Sequence, residues 1–238
     1  MRADATGVAG WIKNSFIDFP GTVSTVLFFS GCNLRCPYCH NPHLLDDGPL
    51  PDIPLRKIRD FLEKRKGIIT GVVLSGGEPT LHATARHIAG AARDMGCAVK
   101  LDTNGMLPEK IPEIKPDYLA LDVKTLPALY GRMLKAPYAD AGERLKESLA
   151  IARGMNESAE IRITIAPGII NKQIVEELGP MMSGIKKVYL QPMQTKVPLL
   201  DPAIAEAPLI SGKEISLYRE ILSWFVDRCE IRGEEKVR

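Results

Sequence analysis

The sequence of 238 residues lacks several features that would assign it to a special class of protein. It has no run of 18 or more apolar residues, so no helix that spans a membrane is expected. Lysine and arginine number 31 against 29 acidic residues, and the net charge of +2 does not suggest a surface that binds nucleic acid. Residues 1–10 do not show the basic and then apolar layout of a signal peptide, so we expect a cytoplasmic protein.

Cysteine is also scarce, and its distribution is uneven. Two of the five cysteines, Cys97 and Cys229, stand alone and are interpreted as small buried side chains. An odd number of cysteines without a secretion signal argues against a framework of disulfides. The other three, Cys32, Cys36 and Cys39, lie within eight residues of each other. Composition alone does not explain this cluster.

Apolar runs rich in β-branched residues alternate along the chain with longer segments of helical periodicity. The runs are continuous, which is typical of parallel strands that are buried on both faces. They predict strands over residues 23–29, 71–74, 98–101, 118–121, 161–165 and 188–190, with a last short strand over 230–232. The periodic segments predict helices over residues 54–66, 82–95, 140–153, 172–182 and 213–227, and the proline-rich stretch 197–208 is predicted to be a long loop.

Repeated strand–helix units predict a parallel sheet, either in an incomplete barrel or in an open, doubly wound sheet. Each of the six apolar runs ends in a polar or Gly/Pro cluster, as expected if six strand ends line one active site. Turns of this kind also collect such residues simply for capping. We predict an α/β fold of one domain, an incomplete (β/α)6 barrel of TIM type. Its expected parts are a lead-in (1–21), a core (22–195) and a C-terminal loop and helix that pack on the core (196–238).

The spacing C-x3-C-x2-C is compatible with four kinds of site. A structural zinc site could take His40 or His43 as its fourth ligand, but such sites usually combine two separated pairs of ligands. The stretch from Cys36 to His40 matches the C-x-x-C-H of c-type haem, and Cys36 with Cys39 matches a redox pair of thioredoxin type. Both of these leave Cys32 without a role. A [4Fe–4S] cluster held by three thiolates uses all three cysteines and leaves one iron open to a ligand.

The cysteine loop resembles the one that binds the cluster in the radical S-adenosylmethionine (SAM) superfamily. Residues 31–42, Gly-Cys-Asn-Leu-Arg-Cys-Pro-Tyr-Cys-His-Asn-Pro, and residues 15–21, Ser-Phe-Ile-Asp-Phe-Pro-Gly, are similar to activating enzymes of glycyl radical enzymes. Those include the activases of pyruvate formate-lyase and of anaerobic ribonucleotide reductase. The resemblance implies that Cys32, Cys36 and Cys39 bind a [4Fe–4S] cluster, that SAM coordinates the open iron, and that Tyr38 lies near the adenine.

The resemblance also implies contacts to SAM at the ends of the predicted strands. The Gly-Gly-Glu segment that ends at Glu78 would lie against the methionine amino group, although a turn with Glu78 at a helix start is an alternative. The segments that begin at Asp102 and Asp122 would surround the carboxylate and ribose, and in some members they help to hold a monovalent cation. The alternative is a structural ion pair in which both carboxylates share Lys124. The full set of expected contacts is Tyr38, Ser75, Gly76, Gly77, Glu78, Asp102, Thr103, Asn104, Asp122, Lys124, Arg162 and Gln194.

Arg162 resembles an arginine of the fifth strand that approaches SAM, whereas by itself it is interpreted as an ordinary polar position on a strand. Gln194 follows the sixth strand, where some activases have a histidine. It can donate a hydrogen bond but cannot titrate near neutral pH. This departure argues against the pyruvate formate-lyase type and favours the ribonucleotide reductase type or a related subgroup.

The activity that the resemblance implies is reductive cleavage of SAM into methionine and a 5′-deoxyadenosyl radical, which takes a hydrogen from a glycine of a partner enzyme. A flavodoxin- or ferredoxin-like protein would supply the electron. Two alternatives stay open. One is a radical SAM enzyme that modifies a small molecule, an RNA base or a peptide. The other is a non-catalytic iron–sulfur module that carries electrons, which leaves Gly76, Gly77, Asp102 and Lys124 unexplained.

Overall fold

A computed structural model of the chain describes residues 5–45, 50–135 and 140–233. The ends of the predicted lead-in and C-terminal part, residues 1–4 and 234–238, lie outside the described residues. The strands are β1 (Val8–Ser15), β2 (Ser24–Phe29), β3 (Gly71–Gly76), β4 (Ala98–Thr103), β5 (Tyr118–Asp122), β6 (Ala159–Ile165), β7 (Lys187–Pro192) and β8 (Arg228–Ile231). The α-helices are α1 (Leu55–Lys64), α2 (Thr84–Asp94), α3 (Ile111–Ile114), α4 (Ala141–Gly154), α5 (Lys172–Met181), α6 (Pro202–Glu206) and α7 (Gly212–Ser223).

The eight strands follow chain order in one open sheet, with β1 and β8 at its edges. Strands β2, β3 and β4 pair in parallel, as do β6, β7 and β8. A doubly wound sheet reverses its strand order at a switch point, whereas this order never reverses. The predicted α/β fold, an incomplete barrel of mainly parallel strands, is therefore confirmed.

The chain divides into two compact units. The first consists of Met1–Asn33, His43–Thr103 and Leu107–Leu119, and the second of Leu34–Pro42, Asn104–Met106 and Ala120–Arg238. The division falls within the cysteine loop and within β5, so each unit contains some of the predicted site residues. The predicted lead-in, core and C-terminal part do not correspond to these units, and they stay a prediction.

Burial explains why the apolar runs form strands. Val72, Val73 and Leu74 of β3 are fully buried, as expected of a strand that is covered on both faces. Helix α2 buries Ala85, Ile88 and other residues at the spacing of an amphipathic helix, and it contacts β3 and β4. Each large apolar side chain that is removed from water in this way stabilises the fold by roughly 1.5–3 kcal/mol.

Strand β1 lies in the segment that the sequence predicts as a lead-in. It pairs antiparallel with β2, and residues from Ile12 to Asn14 are exposed. The indole N–H of Trp11 donates a hydrogen bond to the hydroxyl of Thr25 on β2 at 2.6 Å. A search for continuous apolar runs detects strands that are buried on both faces, so an edge strand that faces water escapes it.

The prediction of a long ordered loop over residues 197–208 is wrong at helix α6. The carboxylate of Asp201 accepts a hydrogen bond from the N–H of Ala203 at 3.0 Å, and Pro202 occupies the first turn. Strand β8 begins at Arg228, ahead of the predicted strand over 230–232. Among the described residues, no helix is both long enough and apolar enough to cross a membrane.

Candidate active site

In the first unit, the turn after β3 approaches the backbone next to the first cysteine of the loop. The N–H of Glu78 donates a hydrogen bond to the carbonyl oxygen of Gly31 at 2.9 Å. Gly76 has a φ of 109°, and a Cβ added to Gly77 would lie 1.9 Å from the same carbonyl oxygen. No side chain larger than hydrogen fits at this distance. Gly77 is thus required by the close approach to the residue that precedes Cys32, and Gly76 by its positive φ and by the backbone of Phe29, whose nitrogen would lie 2.5 Å from an added Cβ.

The carboxylate of Glu78 is fully buried and is held by hydroxyl groups. Its Oε1 accepts hydrogen bonds from the hydroxyl of Thr80 at 2.6 Å, from the N–H of Thr80 at 3.1 Å and from the hydroxyl of Thr103 at 2.8 Å. Glu78 also caps the short 3-10 helix Pro79–Leu81. The turn-closing role is therefore present in the structure, and a contact of Glu78 to the SAM amino group stays a prediction.

The end of β4 holds an ion pair that the sequence motifs do not indicate. Oδ1 of Asp102 accepts a hydrogen bond from Nζ of Lys100 at 2.6 Å, and Oδ2 accepts one from the hydroxyl of Ser75 at 2.9 Å. Lys100 and Asp102 are two residues apart on one strand and so lie on the same face. The side chain of Lys100 is 4% exposed. A lysine inside an apolar strand, two residues before an acidic one, is the signal that could have identified this pair.

In the second unit, the carboxylate at the end of β5 lies between two basic side chains. Oδ1 of Asp122 is 2.6 Å from Nε of Arg162, and Oδ2 is 3.1 Å from Nζ of Lys124. Burial by itself would raise the pKa of Asp122, but the two positive charges outweigh it and hold the pKa well below its usual range. Burial would likewise lower the pKa of Lys124, yet the charge of Asp122 raises it above its usual range. All three groups are charged at neutral pH, and together they have one net positive charge.

The cysteine loop is tied to the C-terminal part of the chain by its backbone. The N–H of Cys39 donates to the carbonyl oxygen of Cys36 at 2.9 Å, which closes a turn. The N–H of Leu200 donates to the carbonyl oxygen of Cys39, and that of Asp201 donates to the carbonyl oxygen of Pro37, each at 3.0 Å. The segment before α6, to which the sequence assigned no role, thus supports the cysteine loop.

Tyr38, the aromatic residue between two of the cysteines, is buried together with Cys36. Burial raises the pKa of the Cys36 thiol, and the positive charge of Lys124 opposes that increase. The ammonium of Lys124 lies 5.9 Å from the ring centre of Tyr38, and the backbone N–H of Lys124 donates to the hydroxyl of Tyr130 at 2.9 Å. Among the described residues, no nitrogen or oxygen atom is a hydrogen-bond partner of the buried Tyr38 hydroxyl, and the polar group next to it is the thiol of Cys36.

Two further predicted residues have different surroundings. The side-chain oxygen of Asn104 accepts a hydrogen bond from the N–H of Met106 at 3.0 Å and so forms a tight turn. Gly105 inside this turn has a φ of 73°, and an added Cβ would lie 2.4 Å from Leu121. Asn104 therefore shapes the chain after β4. Gln194 is exposed to solvent.

The structure thus brings the predicted residues together in two groups. In the first unit, Ser75 contacts Asp102, and Glu78 contacts Thr103. In the second unit, the pairing of Asp122 with Lys124 and Arg162 shows that Arg162 is more than an ordinary polar position.

Within residues 5–45, 50–135 and 140–233, no three His, Cys, Asp or Glu side chains form a set that could hold a single metal ion. A [4Fe–4S] cluster does not require such a set, because its thiolates bind different irons.

A comparison with protein families identifies the chain. The family profile described as the radical SAM superfamily matches residues 26–179, which is more than half of the sequence. The chain belongs to the radical SAM superfamily. The resemblance seen in the cysteine loop is thereby confirmed, and membership in this superfamily implies a [4Fe–4S] cluster and SAM as cofactors.

Curated relatives of this radical SAM protein include activating enzymes. A protein of Methanocaldococcus jannaschii, provisionally named a glycyl-radical enzyme activating enzyme, is 28% identical over 247 residues, with 94% of this chain and 95% of the relative covered. The pyruvate formate-lyase 1-activating enzyme of Escherichia coli strain K12 is 32% identical over 193 residues, which cover 74% of this chain and 76% of that enzyme. The chain is therefore an enzyme of the radical SAM class.

A solved structure agrees with the fold. The radical SAM methyltransferase from Sphaerobacter thermophilus has a TM-score of 0.63, covering 92% of this chain and 68% of its own, at 16% identity. Similarity at this level of identity shows the fold alone.

Proposed function

We propose that this radical SAM enzyme is an activase that generates a glycyl radical on a partner enzyme. The observation that carries the proposal is the alignment with the pyruvate formate-lyase 1-activating enzyme, at 32% identity over 74% of this chain and 76% of that one. The departure at Gln194 from the histidine of some activases favours a partner of the anaerobic ribonucleotide reductase type. The partner is thus proposed as a glycyl radical enzyme of that type or of a related subgroup.

We propose Cys32, Cys36 and Cys39 as the ligands of the [4Fe–4S] cluster. They would hold a cluster that, once reduced by an external donor, would supply the one electron for reductive cleavage of SAM to methionine and the 5′-deoxyadenosyl radical. Three thiols in one loop are soft ligands of the kind that suits iron–sulfur clusters. The buried hydroxyl of Tyr38, in the same loop, lies next to the thiol of Cys36. Since burial raises the pKa of the Cys36 thiol, binding of iron there would release a proton.

The charges in the second unit support a role in binding the carboxylate of SAM. Lys124 and Arg162 both face Asp122, so each is held in position before a ligand arrives. Because the three side chains together have one net positive charge, an anionic group is attracted to them. Asp122 would act as the positioning residue, and the ammonium of Lys124 would donate to the ligand.

The turn in the first unit supports a role in which backbone atoms of Gly76 and Gly77 contact the methionine amino group. Its close packing against Gly31 sets the shape of this backbone. The hydroxyl of Ser75 donates to Asp102, and that of Thr103 donates to Glu78. We propose that these two hydroxyls position the carboxylates toward SAM. The roles of Asn104 and Gln194 toward SAM stay predictions.

The monovalent cation that the resemblance implies in some members is left out of the proposed cofactors. Asp102 and Asp122, which would supply its oxygen ligands, each lie within 3.1 Å of a basic side chain. An added cation would have to compete with these groups. The electron, by contrast, must come from outside the chain, and we propose a flavodoxin- or ferredoxin-like donor.

The chemistry is tested with protein that is reconstituted with iron and sulfide under anaerobic conditions and mixed with SAM and dithionite. The expected product is 5′-deoxyadenosine. Cys36→Ala should abolish its formation and lower the iron content, a loss larger than the roughly 10–100-fold cost of removing an outer partner of a metal ligand. Cys229→Ala, outside the cysteine loop, is the matched control and should retain product formation. Product from Cys36→Ala at the rate of the unchanged protein would contradict the assignment.

The activase role is tested separately. Proteins that co-precipitate with the chain under anaerobic conditions are identified by mass spectrometry and incubated with it, SAM and reductant. A glycyl radical signal on the partner, detected by electron paramagnetic resonance, is the expected result. Formation of 5′-deoxyadenosine with hydrogen taken from a small molecule, an RNA base or a peptide, and no protein radical, would contradict the activase role and leave the radical SAM chemistry intact.

A further inference from the structure

The ion pair between Lys100 and Asp102 has a feature that the proposed reaction does not use. Lys100 lies in the middle of β4, where it is paired with Val73 of β3, and its side chain is 4% exposed. A buried ammonium is unfavourable unless an anion lies close to it. Its Nζ is 2.6 Å from Oδ1 of Asp102, the short distance of a charge-assisted hydrogen bond.

Asp102 is also one of the carboxylates at which a monovalent cation is implied in some members of the superfamily. The ammonium of lysine is a compact point charge that carries the same single positive charge as such a cation. Unlike a free ion, it is attached to the strand and cannot dissociate. The hydroxyl of Ser75 at 2.9 Å from Oδ2 holds the other oxygen of the carboxylate. Side chains of β3 and β4 thus contact both oxygens of the Asp102 carboxylate.

We propose that the ammonium of Lys100 is a built-in counter-ion of Asp102 and takes the place of a dissociable monovalent cation. Its link to SAM rests on the proposed function, because Asp102 is expected to belong to the SAM site. The consequence is that folding and SAM binding are independent of sodium and potassium ions. A purely structural ion pair would show the same contact, but it would respond differently when the lysine is removed.

Lys100→Met separates the two roles, because methionine is unbranched and apolar and can occupy the space of the lysine stem. If Lys100 stands in for a cation, a sodium or potassium ion can enter beside Asp102 in the variant and restore the missing charge. If the pair is only structural, the variant is destabilised to the same degree in every salt. Lys187→Met is the matched control, since Lys187 is a lysine of β7 whose side chain is 11% exposed and whose ammonium donates to the carbonyl oxygen of Glu157.

The first measurement is the thermal unfolding midpoint of the cluster-free protein in potassium, sodium or choline chloride at equal ionic strength. The unchanged protein should unfold at one temperature in all three salts. Lys100→Met should unfold at a lower temperature in choline chloride and recover a substantial part of the loss in potassium or sodium chloride. The unfolding midpoint of Lys187→Met should be lowered equally in all three salts. A midpoint of Lys100→Met that does not differ between choline and the small cations would overturn the proposal.

The second measurement is the dissociation constant of SAM for the reconstituted protein in the same salts. It should change less than about twofold for the unchanged protein, because ionic strength is constant. For Lys100→Met it should rise about tenfold or more in choline chloride, since the carboxylate has lost the ammonium beside Oδ1, and fall again in potassium or sodium chloride. A requirement of the unchanged protein for either cation would overturn the proposal. Failure of the unchanged protein to bind SAM in any salt would contradict the proposed function, while the unfolding midpoints would still decide the role of Lys100.

Discussion

The two compact units place a carboxylate at the end of a strand with a lysine two residues away, but they do so with different charge balance. In the first unit, Lys100 precedes Asp102 inside β4, and the pair is neutral. In the second unit, Lys124 follows Asp122 beyond the end of β5, and Arg162 adds a second positive charge. The first arrangement pairs one acidic with one basic group, whereas the second places two basic groups around one carboxylate.

The position of each lysine in its strand explains this difference. Lys100 is inside the sheet with 4% of its side chain exposed, so its ammonium is used within the fold. Lys124 lies past the strand end with 14% exposed, in the region where loops of parallel α/β folds gather around ligands. Within the first unit the strand end thus has a closely packed backbone and a buried ion pair, and within the second it has two basic side chains around one carboxylate.

The largest effect is expected from Gly77→Ala, which tests the role of the first unit as a shaped backbone. The added Cβ would lie 1.9 Å from the carbonyl oxygen of Gly31, so the turn must move. We expect a loss of about 3 kcal/mol or more in the free energy of unfolding, measured by chemical denaturation. The matched control is Gly90→Ala in α2, where an added Cβ meets nothing within 4 Å. It should gain about 0.5–1 kcal/mol. Equal stability of the two variants would show that the turn is not closely packed.

Asp122→Asn tests the charge balance of the second unit. Loss of the carboxylate leaves Lys124 and Arg162 close together without their shared anion. We expect the free energy of unfolding to fall by about 3 kcal/mol, the lower end of the cost of breaking a buried pair, because the Asp122 side chain is 23% exposed. The control is Asp227→Asn, which removes the partner of Lys186 in an ion pair whose aspartate is 59% exposed, and it should cost less than about 1 kcal/mol.

Asp122→Asn also tests how the free energy of unfolding depends on pH. The pKa of Asp122 in the folded chain lies below the ordinary value of 3.8. Its contribution to stability is therefore complete above pH 3.8 and is lost as the pH falls through the lower folded pKa. The free energy of unfolding should fall less steeply on acidification below about pH 4 in Asp122→Asn than in the unchanged protein. Parallel pH profiles would contradict the pairing with Lys124 and Arg162.

A smaller effect is expected from Asp201→Ala, which tests the support of the cysteine loop. The variant keeps the backbone N–H that binds Pro37 but loses the cap of α6, worth about 1 kcal/mol. A chelator should then extract iron from the reconstituted protein about fivefold faster. Ser211→Ala removes the equivalent cap of α7 and should leave the rate unchanged, whereas Asp201→Asn should restore it. Equal rates for the Asp201→Ala and Ser211→Ala variants would argue against the support.

Much of the fold was predictable because it is encoded in short stretches of sequence. The run that became β3 is continuous in Val and Leu, so it indicated a buried parallel strand directly. The missed strand β1 is partly exposed, and no continuous apolar run indicates it. The glycines beside Glu78 form a local motif, so they could be assigned to a tight turn. The hydroxyls of Thr80 and Thr103 that bind the Glu78 carboxylate could not be identified, because no local pattern marks them.

The amino-acid sequence by itself determined the parallel α/β fold, the cysteine loop and the superfamily, because spacing and periodicity along the chain encode them. Only the tertiary structure decided which side chains are partners. Asp122 and Arg162 are 40 residues apart in the sequence, and Leu200 is still farther from Cys39, to whose carbonyl oxygen its N–H donates. Such contacts depend on which strands are neighbours and in which register, and no local pattern contains that information.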